Sequence, residues 1–171
     1  MTDIRAHIRA IPDFPQPGVT FRDLTPLLAD GAAFRAAVDR LGEQAGAFDL
    51  IAGIEARGFL FGAALAHHSG RGLVIIRKPG KLPGRTIGHD YALEYGTDRL
   101  ELHADAIPAG TRVLLVDDVL ATGGTAAAAV HLVRKAGGEV ARALFVVGLP
   151  VLGGAARLGA LGVEAISLVD Y

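Results

Sequence analysis

The segment Val113 to Thr125, VLLVDDVLATGGT, restricts the choice of fold more than any other part of the chain. Four β-favouring residues run directly into Asp117-Asp118. Thr122-Gly123-Gly124-Thr125 then opens an alanine-rich stretch to Lys135 that closes at Gly137-Gly138. A short apolar run without alternation suits a strand covered on both faces, and strand followed by helix is the repeating unit of a parallel sheet. The same order occurs upstream. Phe34, Val38 and Leu41 at i, i+4 and i+7 mark a helix ended near Gly46. Leu50-Ile51-Ala52 and Leu73-Val74-Ile75-Ile76 read as buried strands, with Gly58 to Ala66 between them as a helix small enough to lie close on a sheet. Ala143 to Val147 supplies one more strand. The pattern predicts an α/β domain with a mostly parallel central sheet, flanking helices and right-handed crossovers.

At 171 residues the chain has the size of one domain, and neither a linker nor an internal repeat divides it, so a single domain over 1–171 is expected. Ile4, Ile8 and Ile11 recur at helical spacing and predict a short N-terminal helix that stops at Pro12. Pro12, Pro15, Pro17 and Pro26 then enforce an extended path through Phe21-Arg22-Asp23. From Arg77 to Asp90 the chain is rich in Gly, Pro and basic residues and reads as a long loop. A loop of that length in a compact domain is usually functional. Tyr91, Leu93 and Tyr95 alternate, as do Leu100 and Leu102, which predicts a hairpin turning at Gly96-Thr97-Asp98.

Composition removes several function classes. Basic and acidic residues number 17 and 18, so no overall positive field exists to hold a nucleic-acid backbone or an anionic membrane. The absence of cysteine excludes disulfides, thiolate catalysis and zinc–thiolate sites. No segment offers about 20 continuous apolar residues, and the charged start at Asp3 and Arg5 does not fit an export signal, so a cytoplasmic protein without nucleic-acid or membrane partners is expected. The histidines show no HExxH spacing.

In an open parallel sheet, ligands collect beyond the carboxyl ends of the strands. Two consecutive carboxylates there can accept hydrogen bonds from a diol or help hold a hydrated cation. Glycines let successive backbone N–H groups converge, the start of a helix adds partial positive charge, and the hydroxyls of Thr122 and Thr125 add donors. Together these groups describe a phosphate cup beside acceptors for sugar hydroxyls. An ordinary strand-to-helix turn would not explain paired acids next to a Thr-Gly-Gly-Thr loop, and an acidic metal pocket would not need the glycines. Neither GxxxxGK[ST] nor GxGxxG occurs.

Asp117 to Thr125 resembles the 5-phosphoribosyl diphosphate (PRPP) signature of the type I phosphoribosyltransferases. Phe21-Arg22-Asp23-Leu24-Thr25-Pro26, Glu55-Ala56-Arg57-Gly58-Phe59-Leu60-Phe61-Gly62, Arg77-Lys78-Pro79-Gly80-Lys81-Leu82-Pro83-Gly84 and Leu93-Glu94-Tyr95-Gly96 resemble, in order, the adenine-using branch of that family. The resemblance implies the type I phosphoribosyltransferase fold, with a small hood over residues 1–30 and a mobile hairpin lid over 77–103. It implies magnesium-dependent transfer of ribose 5-phosphate from PRPP to N9 of adenine, giving AMP and diphosphate for purine salvage in a homodimer. Magnesium would be held through PRPP and water rather than by a certain direct protein ligand.

Residue by residue, it implies that Ala121, Thr122, Gly123, Gly124 and Thr125 bind the 5-phosphate, and that Asp117 and Asp118 bind the ribose hydroxyls or magnesium-bound water. Glu55, Ala56, Arg57 and Gly58 would form the diphosphate loop, in which the family often holds a non-proline cis peptide. Arg57 would neutralise the leaving group, with Arg77 and Lys81 adding to diphosphate binding. Glu94 would take the proton from the purine, Tyr95 would shield the site, and Phe21, Arg22 and Leu149 would line the adenine pocket. Gly148 and Val151 depart from the polar or acidic residues that relatives often carry at those slots. Two other functions fit the same cup: transfer to another purine base, and a non-catalytic regulator that senses PRPP.

Overall fold

The structure, a computed structural model, describes residues 2–92 and 96–171. A 3-10 turn at Arg5–His7 leads to strand β1 (Arg9–Ile11), which pairs antiparallel with β2 (Phe21–Asp23). The helix expected at Ile4 to Ile11 is therefore corrected to one turn and a strand. Ile4 and Ile8 are buried as helical spacing demands, but pairing of Ile11 with Phe21 decides the backbone. Helices α1 (Thr25–Ala29) and α2 (Gly31–Gln44) follow. Asp30 caps α2 by accepting from the N–H groups of Ala32 and Ala33 at 3.0 and 2.9 Å. Ala33, Ala37, Val38 and Leu41 form its buried stripe.

Strand β3 (Leu50–Ile54), helix α3 (Gly58–Ser69) and strand β4 (Gly72–Ile76) make the first parallel crossover. The antiparallel hairpin of β5 (Thr86–Ala92) and β6 (Thr97–His103) comes next. Its first strand begins at Thr86, within the region expected to be loop. Thr97 and Asp98 pair with Ala92 and Tyr91, so they belong to the second strand and not to the turn. Strand β7 (Arg112–Leu120), helix α4 (Gly124–Lys135), strand β8 (Glu139–Gly148), helix α5 (Gly154–Gly159) and strand β9 (Glu164–Asp170) complete the chain. Helix α5 and strand β9 lie beyond the last element expected from the sequence, the strand Ala143 to Val147.

The five-stranded sheet is parallel throughout, in the order β4-β3-β7-β8-β9. It separates two cores, and strand residues serve them alternately, as a period of two requires. Val113 and Leu115 face the side of α4 and the β5–β6 hairpin, whereas Leu114 and Val116 face the side of α1, α2 and α3. The chain turns one way from β3 to β4 and the other way from β7 to β8. The adjacent carboxyl ends of β3 and β7 therefore form the switch point, where a crevice opens in a sheet of this kind.

Candidate active site

Two loops meet at that crevice, Glu55-Ala56-Arg57 after β3 and residues 121–124 after β7. They line a cavity of about 300 Å³ together with Lys78, Asp117, Asp118 and Thr125. Strand β7 does not stop before the acids, as the run Val113 to Val116 suggests. Pairing with β3 ends at Val116, but pairing with β8 continues through Asp117↔Phe145 and Val119↔Val147, so both carboxylates are carried on a strand that β8 still holds.

The acids are not equivalent. Asp118 is buried, and its Oδ2 lies 2.6 Å from Arg57 Nε. That oxygen nevertheless has no well-aligned hydrogen-bond donor among the described residues. The Asp118 N–H donates to Asp117 Oδ1 at 2.8 Å. Burial pushes the Asp117 carboxyl well above its ordinary value, and the adjacent Asp118 charge adds to the shift. Gly58, at the start of α3, lies against the same pair. A Cβ there would lie 2.8 Å from Asp117 Oδ1 and 2.9 Å from the Val116 carbonyl oxygen, so only glycine permits this approach.

The Glu55–Ala56 peptide is cis. The Glu55 carboxylate accepts from the Lys78 N–H at 2.7 Å and from Arg77 Nε and Nη2, each at 3.3 Å. The Lys78 N–H is the main cause of its lowered pKa. Glu55 thus ties the segment after β4 to the loop after β3, and Arg77 is directed to Glu55. The backbone of Arg77 is bridged to Glu101 of β6, and its Nη1 donates to the Lys81 carbonyl at 3.3 Å, leaving Lys81 exposed on the loop.

The loop before α4 closes through Gly123 at φ 75°, a conformation suited to glycine. As the helix begins at Gly124, its first N–H groups lack partners within the helix. Two features outside the motif fix this cup. Gly154 of α5 stands so near that a Cβ on it would lie 2.3 Å from the Ala121 carbonyl oxygen, and a Cβ on Gly123 would lie 2.9 Å from Gly154 Cα. Arg157 Nη1 lies 3.3 Å from the Cβ position of Gly124, which brings a cation to the start of α4. Neither residue carries a local signal in the sequence.

The hairpin also reaches the cup. Tyr91 Oη lies 3.3 Å from Thr125 Oγ1 and 3.0 Å from Asp98, and Lys78 Nζ donates to both Tyr91 Oη and Asp98. Tyr91 and Lys78 were missed as site residues, although the alternation of Tyr91 with Leu93 placed the tyrosine on a strand. Glu94 and Tyr95 lie outside the described residues.

The residues expected at the base pocket divide. Phe21 lies under the guanidinium of Arg57, whose Cζ is 5.2 Å from the ring centroid, and so meets the cavity through Arg57. The Arg22 side chain stacks on Tyr171 instead, at 3.7 Å. Leu149 follows β8 and its N–H donates to the Leu120 carbonyl at 2.9 Å. A Cβ on Gly148 would lie 2.2 Å from Asp170 Oδ1 and 2.6 Å from Ser167 Oγ, so two polar side chains of β9 fill the space that a residue there would need. Val151 is 90% exposed and touches none of this.

Comparison with known proteins agrees with the geometry. Residues 27–156 match the family model of the phosphoribosyl transferase domain. The chain is 57% identical over 171 residues to the adenine phosphoribosyltransferase of Sphingopyxis alaskensis, covering 99% of this chain and 93% of the relative. The crystal structure of the adenine phosphoribosyltransferase from Thermoanaerobacter pseudethanolicus superposes with a TM-score of 0.94 at 49% identity, covering 98% of each chain. That of the Saccharomyces cerevisiae enzyme, complexed with an imino-altritol bisphosphate and adenine, superposes at 0.89 with 38% identity and 96% coverage of each. With its cup at the β3–β7 switch point and this likeness over nearly its full length, the chain belongs to the phosphoribosyltransferase family, among the adenine phosphoribosyltransferases.

Proposed function

We propose that the 121–125 loop receives the 5-phosphate of PRPP, and that the chain transfers ribose 5-phosphate to N9 of adenine, releasing AMP and diphosphate. One observation carries this assignment of the site: a glycine cup at a helix start stands beside a buried Asp118 whose oxygen lacks an aligned donor. A phosphate satisfies the free N–H groups, and a ribose hydroxyl supplies the donor that Asp118 lacks. The ligands of the yeast enzyme, a bisphosphate and adenine, are of the same chemical classes.

With both ends of the donor held, the anomeric carbon cannot drift, and positioning supplies much of the acceleration. Arg57 lies between Asp118 and Phe21, where its charge offsets that of the departing diphosphate. Arg77 and Lys81 add positive charge along the segment after β4, and Glu55 holds that segment to the loop after β3. Phe21, the Arg22 main chain and Leu149 border the base. Glu94 accepts the purine proton as the new bond forms, and Tyr95 helps keep water from the reacting carbon. Residues 77–103 act as a lid and residues 1–30 as a hood on one domain.

The donor set fits magnesium. Two adjacent carboxylates offer hard oxygen atoms, and this ion binds through one or two carboxylates together with substrate phosphates and water. When bound, it supplies charge neutralisation to the diphosphate. Asp117 and Asp118 would hold it through its water shell. Among the described residues no helix is long and apolar enough to cross a membrane. We place the enzyme in the cytoplasm as a homodimer serving purine salvage.

The test is one assay: purified protein, magnesium, PRPP and each nucleobase separately, with nucleoside monophosphate as readout. AMP alone is expected, and turnover of hypoxanthine or guanine at a similar rate overturns the adenine assignment. In the same assay Glu94→Gln is expected to lower kcat by about 10²-fold with little change in the KM for PRPP. An unchanged kcat removes Glu94 from its role.

A further inference from the structure

Strand β2 presents neighbouring residues to opposite sides, as alternation requires. Phe21 faces Arg57, which lines the cavity, while Arg22 extends the other way and lays its guanidinium on the Tyr171 ring, 3.7 Å from the centroid. Arg5, on the N-terminal 3-10 turn, approaches the same ring at 4.8 Å, and its Nη2 donates to the Asp170 carbonyl at 3.0 Å. The Tyr171 N–H donates to the Gly148 carbonyl at 3.1 Å. The ring is thereby tied to the end of β8, the strand that leads into Leu149. Arg22 Nε is buried with no hydrogen-bond partner among the described residues, and the Tyr171 ring face lies against the guanidinium on that side.

The ribbon that carries Phe21 cannot set its own position. It consists of three residue pairs, Arg9↔Asp23, Ala10↔Arg22 and Ile11↔Phe21, and an isolated two-stranded ribbon is marginal in water. Its anchors decide where it lies. Asp23 fixes one end through Arg9 and Thr25, and Arg22 fixes the middle through Tyr171.

We propose that Tyr171 is a positioning residue for adenine: by clamping the Arg22 side chain it sets the β2 main chain and Phe21 against the base side of the cavity. The inference rests on the assignment of Phe21, Arg22 and Leu149 to the adenine pocket. It assigns a substrate-specific role to a residue that borders neither the phosphate cup nor the acid pair. Loss of the clamp should therefore weaken adenine binding and leave PRPP binding intact.

Steady-state kinetics on the full chain test it. Tyr171→Leu is expected to raise the KM for adenine about fivefold or more, with the KM for PRPP held within about twofold. Tyr171→Phe keeps the ring and is expected to behave as wild type. Arg22→Ala removes the clamp from its other side and is expected to show the same split, which keeps the test decisive if Tyr171→Leu is insoluble. Phe21→Ala serves as the reference for the pocket. If it raises the KM for adenine while Tyr171→Leu and Arg22→Ala do not, the clamp is refuted and the pocket stands. If Phe21→Ala leaves that KM unchanged, the pocket assignment fails and the clamp with it. Equal rises in both KM values, or a fall in melting temperature with neither KM altered, also refute the positioning role.

Discussion

Asp117 shows how a carboxyl lining the cavity can work against the stability of its own fold. Burial next to Asp118 raises its affinity for a proton above the ordinary value of 3.8. A carboxyl of this kind costs nothing below that value, where folded and unfolded chains are both protonated. The cost appears as pH rises and the unfolded chain releases its proton more readily. Asparagine keeps the oxygen that accepts from the Asp118 N–H and carries no charge. Ligand-free Asp117→Asn should therefore melt above wild type at pH 7, by roughly 2–4 °C, the shift that about 1 kcal/mol produces in a chain of this size. The difference should vanish below pH 3.8. Calorimetry across that range checks it, and a variant that melts lower at pH 7 would contradict the sign. If Asp117 binds the ribose hydroxyls or magnesium-bound water as proposed, the same variant should bind PRPP less productively, the usual exchange of function for stability.

At the scale of elements, the cup depends on a helix that the motif does not contain. Gly154 opens α5 and lies so close that any side chain must displace the Ala121 carbonyl or the Leu120 side chain. Gly154→Ala should therefore raise the KM for PRPP about tenfold, equivalent to about 1.4 kcal/mol and within the range for overpacking, with less effect on the KM for adenine. Parallel titrations of the two substrates would reveal this, and equal effects on both would place the strain elsewhere. The contact also marks what a sequence can disclose. Strand, acids, glycine loop and helix between Val113 and Lys135 are contiguous, so their order alone pointed to the cup. The path of Ile4 to Ile11 depended on a partner at Phe21 to Asp23, and a distant strand outweighed helical spacing. The extension of β7 through Asp117 and Asp118 was hidden for the same reason, since β8 supplies the pairing. Lys78, Tyr91 and Arg157 join the site only through folding, and no local pattern separates them from ordinary surface residues.

Across the whole molecule, acid should loosen the β1–β2 ribbon and the 77–103 segment together, because the carboxylates that tie these elements share one direction of shift. Asp23 is depressed to about 2, chiefly by the Thr25 N–H and then by Arg9, and it joins the β1–β2 ribbon to α1. Asp49 is depressed to about 2 by Arg112 and joins the start of β3 to β7. Glu55 and Asp98 are also lowered, the first by the Lys78 N–H and the second by the Lys78 ammonium, and both fasten the 77–103 segment. A carboxylate with a depressed pKa contributes stability that is complete above its unfolded value and is lost as pH falls through its folded one. Asp117 runs the other way, but it is one group against these four. The melting temperature should therefore stay nearly level from pH 7 to about 5 and then drop between about pH 4.5 and 2. Asp49→Asn should melt below wild type at pH 7, and the deficit should close as pH approaches 2, where wild type has lost the same charge. Circular dichroism melts of both proteins across this range decide the matter. A wild-type drop complete by pH 5, or a deficit unchanged at pH 2, would show that these ties do not govern the acid transition.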